Sequence, residues 1–227
     1  MQTVKHRTPD ALSRSILELN SDTISVRKAE VAVKNLTNII TAALKLSNSK
    51  GFQAMSLRDL SKEAGMSMGG LYAYFDSKTT LLNMILTQVT QAVEDVLTNP
   101  PEDVTQDPVA HLDWLIDAHI RLTEEMLAWF AFSFMEAKNF PAKQRQIAID
   151  SEIMTEDLFA QVICRAQAKG LLRHDASPLL PALIKPLLQD WYVKRAKYRK
   201  RGVSVADYIK TVQSFVRAAC LQVDTAP

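Results

Sequence analysis

Glycine placement constrains this chain more than any other feature. Only six glycines occur in 227 residues, and four of them (Gly51, Gly65, Gly69, Gly70) fall within twenty positions. Proline is absent from residues 10–99 and then returns as Pro100, Pro101 and Pro108. There is no Asn-Gly or Asp-Gly pair and no sustained apolar/polar alternation, so a sheet would have neither its turns nor its period-2 pattern. The expected fold is all-α, with breaks where the glycines cluster and near residue 100.

Length permits one domain, or a small module joined to a larger one. The apolar share of 47% and charged share of 23% lie near the soluble averages of about 45–50% and about 25%, which argues against a disordered or fibrous chain. The longest apolar run, 126–135, is about half of what a bilayer span needs, and Ser133 interrupts it. No transmembrane helix is therefore expected. At the N-terminus Lys5, His6 and Arg7 are followed by Pro9 and Asp10 instead of an apolar signal segment. The chain reads as cytoplasmic. Cys164 and Cys220 have no metal-like spacing and are expected to be buried thiols in a reducing compartment.

Capping residues and apolar periodicity set the helices. Thr8-Pro9-Asp10 opens a short helix with Leu12, Ile16 and Leu19 at helical spacing. From 26 to 50 Val33, Leu36, Ile39, Ile40, Ala43 and Leu46 form one stripe, ended by Gly51. Ser56, with Asp59 at the capping-box position, starts a short helix that stops at Gly65. Ser67 starts another, and Ser77 a longer one to about Thr98. Further helices are expected at 107–125, 126–138, 142–168, 178–200 and 204–221. Charge divides along the same line. Residues 1–80 hold 11 Lys+Arg against 7 Asp+Glu, a net of +4, and the remainder holds 16 against 18, a net of −2.

Residues 56–75 (SLRDLSKEAGMSMGGLYAYF) have the grammar of a helix-turn-helix. Two short helices crossing steeply need a small residue between them (Ser61), glycine at the turn (Gly65) and apolar residues at Leu60, Met66 and Leu71. In such a unit the second helix enters the major groove by its N-terminal end, so Ser67, Met68, Gly69 and Gly70 face base edges. Tyr72 and Lys78 then reach phosphates, and the N–H groups at the helix starts, behind Ser56 and Ser67, add to the anion site. The alternative is a helical hairpin that only packs, with Ser56 and Ser67 as ordinary caps.

The same stretch resembles a known family. Ile39-Ile40-Thr41-Ala42-Ala43, Gly51-Phe52, Ser56-Leu57-Arg58-Asp59-Leu60, Glu63-Ala64-Gly65-Met66-Ser67 and Leu71-Tyr72-Ala73-Tyr74-Phe75-Asp76-Ser77-Lys78 are similar to the N-terminal domain of TetR/AcrR-type repressors. The resemblance is close over 35–85. Farther on, Gly170-Leu171-Leu172-Arg173, Asp175 and Pro178 resemble the lead into the family's dimerisation helices. The resemblance implies an N-terminal helix-turn-helix domain and a larger helical domain for effector binding and dimerisation. The corresponding segments are 1–25 as an N-terminal extension, 26–80 and 81–227. It implies that Arg58 reaches a base edge, that Met68 and Gly70 sit at base-reading positions, and that Tyr72 and Lys78 hold the phosphate backbone. The chain departs from the family where Met68, Gly69 and Gly70 replace residues that are often Lys and Thr. Direct readout then leans on Arg58, Tyr74 and close backbone approach. Ser47 stands where the family commonly has an aromatic residue. Arg27 and Lys28 read equally as DNA contacts or as solvated charges.

The larger segment holds all three tryptophans and six of the eight phenylalanines. Phe130, Phe132 and Phe134 recur at every second position and so spread around a helix, which requires burial on several sides. One reading is a filled core. The other, implied by the resemblance, is an effector cavity among helices 107–169. Trp114, Trp129, Phe134 and Met135 are its lining candidates, and His119, Arg121 and Glu136 the polar groups that orient a ligand. His111 and His119 lack a third ligand at metal spacing, so no metal or other cofactor is expected. Six basic residues fall within 194–201, read either as dipole-favoured charges at a helix end or as a second anionic-partner patch. The stripes with Leu180, Leu183, Ile184, Leu187 and Trp191, and with Tyr208, Val212 and Phe215, suit a four-helix dimer interface. No nucleophile–base spacing and no phosphate-cradling loop recurs, and the Glu124-Glu125 and Glu156-Asp157 pairs read as solvated helix faces.

The functional expectation is a homodimeric, non-enzymatic repressor on a double-stranded, pseudo-palindromic operator, released by a small apolar effector and without membrane association. Two alternatives stand beside it. One is an all-α small-molecule binder or enzyme that uses the aromatic cavity, and the other is a TetR-like activator without an effector.

Overall fold

Among the described residues, 7–173 and 175–221 of a computed structural model, the chain forms twelve α-helices. Its β structure there is a single antiparallel bridge between Leu172 and Leu221. The helices are α1 (Pro9–Leu19), α2 (Ala29–Lys50), α3 (Leu57–Glu63), α4 (Met68–Tyr72), α5 (Lys78–Leu97), α6 (Glu102–Thr105), α7 (Pro108–Glu125), α8 (Leu127–Met135), α9 (Ala142–Ala168), α10 (Leu180–Val193), α11 (Arg195–Lys200) and α12 (Val205–Cys220). A 3-10 turn, Ala137–Asn139, follows α8. Residues 1–6 of the expected extension, with Lys5 and His6, lie outside the described residues. The described chain divides into two compact units, 7–90 with 128–148, and 91–127 with 149–221. Residues 128–148, expected within the larger segment, thus belong with the helix-turn-helix.

In the first unit, α1 packs on α2. Thr8 caps α1 by accepting from the Ala11 N–H at 3.2 Å, and Leu12, Ser13 and Ile16 are its buried residues. Thr37 Oγ1 lies 2.9 Å from both Asp10 Oδ1 and Ser13 Oγ, which fixes the rotation of α1 on α2. Helix α2 starts at Ala29, three residues later than the apolar pattern predicts. The reason is Ser25, whose N–H donates to the Ala73 carbonyl at 3.0 Å and holds the preceding segment against the end of α4. The buried Ser47 hydroxyl donates to the Ala43 carbonyl within α2. Phe52, Phe132 and Phe140 form an edge-on cluster in this unit, with ring centroids 5.5–6.5 Å apart. Phe132 and Phe140 are therefore core residues of the helix-turn-helix unit.

In the second unit the helices pack around Leu112, Leu115, Ile116, Phe159, Leu188, Trp191 and Val212, each at most 4% exposed. Asp107 caps α7 by accepting from Val109 N–H at 2.9 Å, and Ser204 with Asp207 forms a capping box at α12. The helix expected over 178–200 breaks at Lys194. There the Asp190 carboxylate gathers Lys194 at 2.6 Å, Lys197 at 2.7 Å and the Tyr198 hydroxyl. Glu124, expected on a solvated face, instead accepts from Trp191 Nε1 at 3.0 Å and from Arg195 Nε and Nη2 at 2.8 and 2.9 Å. Much of the basic run is thereby committed to carboxylates within the unit. Cys220 is buried as expected, whereas Cys164 is exposed on α9.

Candidate nucleic-acid interface

The two short helices are built by hydrogen bonds that span three to five residues. Ser56 Oγ accepts from Asp59 N–H at 3.1 Å, and Asp59 Oδ2 accepts from Ser56 N–H at 2.9 Å, the reciprocal capping box. Lys50 Nζ reaches the same carboxylate at 2.6 Å. The bond from Lys50, followed by those from Ser56, holds the Asp59 carboxyl well below the usual range. Gly65 turns the chain at φ +66°, where a side chain would be strained. Ser61 is buried, its hydroxyl donating to the Met66 carbonyl and its own carbonyl accepting from Met66 N–H at 2.9 Å. Leu60 and Leu71 are fully buried on either side of the turn. Serine at 61 is thus what lets the two helices approach.

Ser67 caps α4 by accepting from Gly70 N–H at 3.0 Å. A Cβ at Gly70 would stand 3.3 Å from Ser67 Oγ, crowding the cap, whereas a Cβ at Gly69 would meet nothing within 4 Å. Gly70 therefore serves the cap and Gly69 leaves an open approach. Arg58, Ser67 and Gly69 are exposed, Met68 and Gly70 are partly so, and Tyr72 is 53% exposed. Ser56 is exposed, with its hydroxyl committed to the capping box.

Two candidates stand elsewhere. Tyr74 is buried at 1% exposure, and its hydroxyl accepts from Asn35 Nδ2 at 2.8 Å. Burial pushes its pKa up. Tyr72 and Tyr74 are two residues apart at the end of a helix and point to different sides, so only Tyr72 is available to a ligand. Lys78 donates to the carbonyls of Phe52 at 2.8 Å and Gln53 at 3.0 Å, and lies 4.9 Å over the Phe52 ring. Its ammonium braces the loop between α2 and α3, and partial burial lowers its pKa. The same loop is held by Glu136, which accepts from Phe52 N–H at 3.2 Å, and by Gln53, which donates to the Asn139 carbonyl at 2.7 Å. No spacing in the sequence announces these partners, which come 84 and 86 residues later.

The seven ligand candidates are not brought together. Trp129 is buried in the first unit, where Phe134 and Met135 are 44% and 53% exposed and Glu136 braces the loop. In the second unit Arg121 pairs with Asp117 on the surface at 2.8 Å. His119 is buried with Lys185 Nζ at 3.3 Å from Nε2. Trp114 packs edge-on against His111, ring centroids 5.9 Å apart. His111 in turn lines a cleft of about 880 Å³ formed by the end of α5, α7 and α9. The dimer candidates also divide. Leu180, Ile184, Trp191, Tyr208 and Val212 are buried in the unit's own core and Leu187 is half-buried, whereas Leu183 and Phe215, with Leu179, present apolar side chains 57–64% exposed.

The fold and the helix-turn-helix define the class, an all-α DNA-binding regulator fold. Residues 39–85 match the model of the bacterial regulatory proteins of the tetR family. The chain is 26% identical over 172 residues to the HTH-type transcriptional regulator HbdR of Aromatoleum sp. (strain CIB), covering 76% of this chain and 74% of that one. It is 28% identical over 107 residues to the HTH-type transcriptional regulator PksA of Bacillus subtilis (strain 168), a match that spans 44% of this chain and half of PksA. A solved tetR-family regulatory protein from Rhodococcus RHA1 shares the fold with a TM-score of 0.67 at 19% identity, covering 81% of this chain and 97% of that one. Residues 39–85 thus carry a tetR-type helix-turn-helix, and the chain shares the fold of solved TetR-family regulators. Among the described residues no helix is long and apolar enough to cross a membrane, and no group of three or more His, Cys, Asp or Glu could hold a metal ion.

Proposed function

We propose that the chain is a homodimeric repressor that reads a pseudo-palindromic operator with α4 of each protomer and is released by a small apolar effector. The observation that carries this reading is the exposed surface at the start of α4. Gly69 stands in open space, and Arg58, Met68 and Tyr72 reach solvent around it. Such a surface lets backbone approach base edges closely while Arg58 supplies side-chain hydrogen bonds and Tyr72 a phosphate contact. Dimerisation is supported by the exposed apolar groups Leu179, Leu183 and Phe215 near and on α10 and α12. Two-fold symmetry then matches an inverted repeat. The effector reading is supported by the cleft in the second unit, whose size lies within the range of small-molecule sites, about 300–1,000 Å³.

Selection of binding sites from a random duplex pool, at about 0.15 M salt where phosphate-only binding is weak, tests the reading. The expected outcome is convergence on an inverted repeat bound by a dimer. Arg58→Ala should then relax preference at particular base pairs, while Tyr72→Phe weakens all sequences alike. A folded, dimeric protein that enriches no sequence would overturn the proposal.

A further inference from the structure

The cleft in the second unit has a polarised lining. Its floor is apolar, with Leu97 at the end of α5, Leu115 on α7 and Val162 on α9 all buried. At one end His111 and Arg165 meet. Arg165 Nη1 donates to the Thr105 carbonyl at 3.2 Å and Nη2 to His111 Nδ1. A guanidinium only donates, so Nδ1 carries the lone pair and the imidazole proton sits on Nε2. Burial, and then the Arg165 charge, lower the His111 pKa, which favours the neutral ring that accepts from Arg165. Both partners of Arg165 are thus uncharged. Arg121, Arg173, Arg195 and Arg217 of the same unit each hold a carboxylate, whereas the ion pairs among the described residues include neither Arg165 nor the exposed Arg199 and Arg201, and of these three only Arg165 lines the cleft. Its two contacts use two of the five N–H donors that a guanidinium carries.

We propose that this cleft binds an amphiphile with a single carboxylate, its apolar body on Leu97, Leu115 and Val162 and its carboxylate on the free donors of the Arg165 guanidinium, beside the neutral His111 ring. A planar fork of donors matches a carboxylate better than a point cation would. Asp157 lines the same cleft eight residues before Arg165 on α9, about 12 Å along the helix axis. Its charge opposes a second anionic group at that end and sets the length of a fitting molecule. The assignment rests on the effector reading above only for what binding does to DNA.

Calorimetry on the full chain with decanoate, decan-1-ol and decanedioate, below aggregating concentrations, tests the site without DNA. Decanoate should bind one molecule per chain about tenfold or more tightly than the alcohol, and decanedioate more weakly than decanoate. Arg165→Gln should bring decanoate down to the alcohol's affinity with the thermal midpoint preserved, and Arg165→Lys should keep part of the preference. The His111 imidazole, followed by NMR, should titrate at higher pH with decanoate bound and stay unchanged with the alcohol. Equal affinity for acid and alcohol, binding of neither by the folded protein, or a preference that survives Arg165→Gln would each overturn the assignment. Arg165-dependent binding that leaves operator affinity unchanged would support the site and overturn the effector reading instead.

Discussion

The helix-turn-helix and the core around Glu124 are both polar networks set among apolar helices, yet they are wired over different ranges. Ser56 and Asp59 are three residues apart, and Ser61 and Met66 five. Glu124 takes its donors from Trp191 and Arg195, 67 and 71 residues away, and Asp113 binds Gln213 and Arg217 at separations of 100 and 104. Local networks form as their helices form, and each bond adds an increment of its own. The long-range network exists only once several helices have assembled, so its members are energetically coupled.

That contrast can be broken by measurement. Trp191→Ala should have the largest effect, about 3–5 kcal/mol, because it empties a fully buried site. It also removes a donor from Glu124 and the ring on which Arg195 lies at 4.4 Å. A loss under about 1 kcal/mol in a urea titration would mean that the network contributes little.

Lys185 comes next. Burial pushes its pKa from 10.5 down to about 8 against the opposing pull of Glu152 and Glu156. Between about pH 8 and 10.5 the unfolded chain then binds more protons than the folded one, so stability rises with pH across that window. The gain is about 3 kcal/mol at full deprotonation, and it should vanish in Lys185→Met, which should also be the more stable protein near pH 7. Parallel pH–stability curves for the two proteins would contradict this account.

Ser56→Ala should cost about 1 kcal/mol, an ordinary N-cap loss, with no dependence on the network around Glu124. Double substitution with Trp191→Ala should be additive, and a coupling above about 0.5 kcal/mol would show that the local network is less self-contained than its geometry suggests. Arg121→Ala should be the smallest, under about 0.5 kcal/mol, since its pair with Asp117 is exposed. A thermal melt would detect any larger effect.

The same difference in range decides what could be read from the sequence. Ser56 with Asp59, Gly65 and Gly170 announce themselves because cap and partner lie within one turn of chain. Tyr74 did not, since the residue that donates to its hydroxyl, Asn35, lies on α2, 39 residues away. The helix break at Lys194 was hidden for a related reason. A basic run following Trp191 reads as a continuing helix until Asp190 is seen to gather Lys194 and Lys197, and Glu124 to gather Arg195. The exposed position of Cys164 follows from the cleft it lines beside Arg165. The aromatic run at 129–134 signalled burial on several sides, but Phe52, which Phe132 meets, stands 80 residues earlier.

The brace on the loop between α2 and α3 bears on how the molecule can be divided. A fragment ending at residue 80 would contain every residue of the helix-turn-helix yet lack Glu136 and Asn139, which bond to Phe52 and Gln53. It would also expose the face of Phe52 that Phe132 and Phe140 cover. Transplanted onto another protein, that fragment would keep the bonds from Lys78 to the loop ahead of α3 and lose those made by residues 136 and 139. A usable module must therefore be discontinuous in sequence and include residues 128–148, so a chimera should be spliced on both sides of that segment rather than cut once after α4.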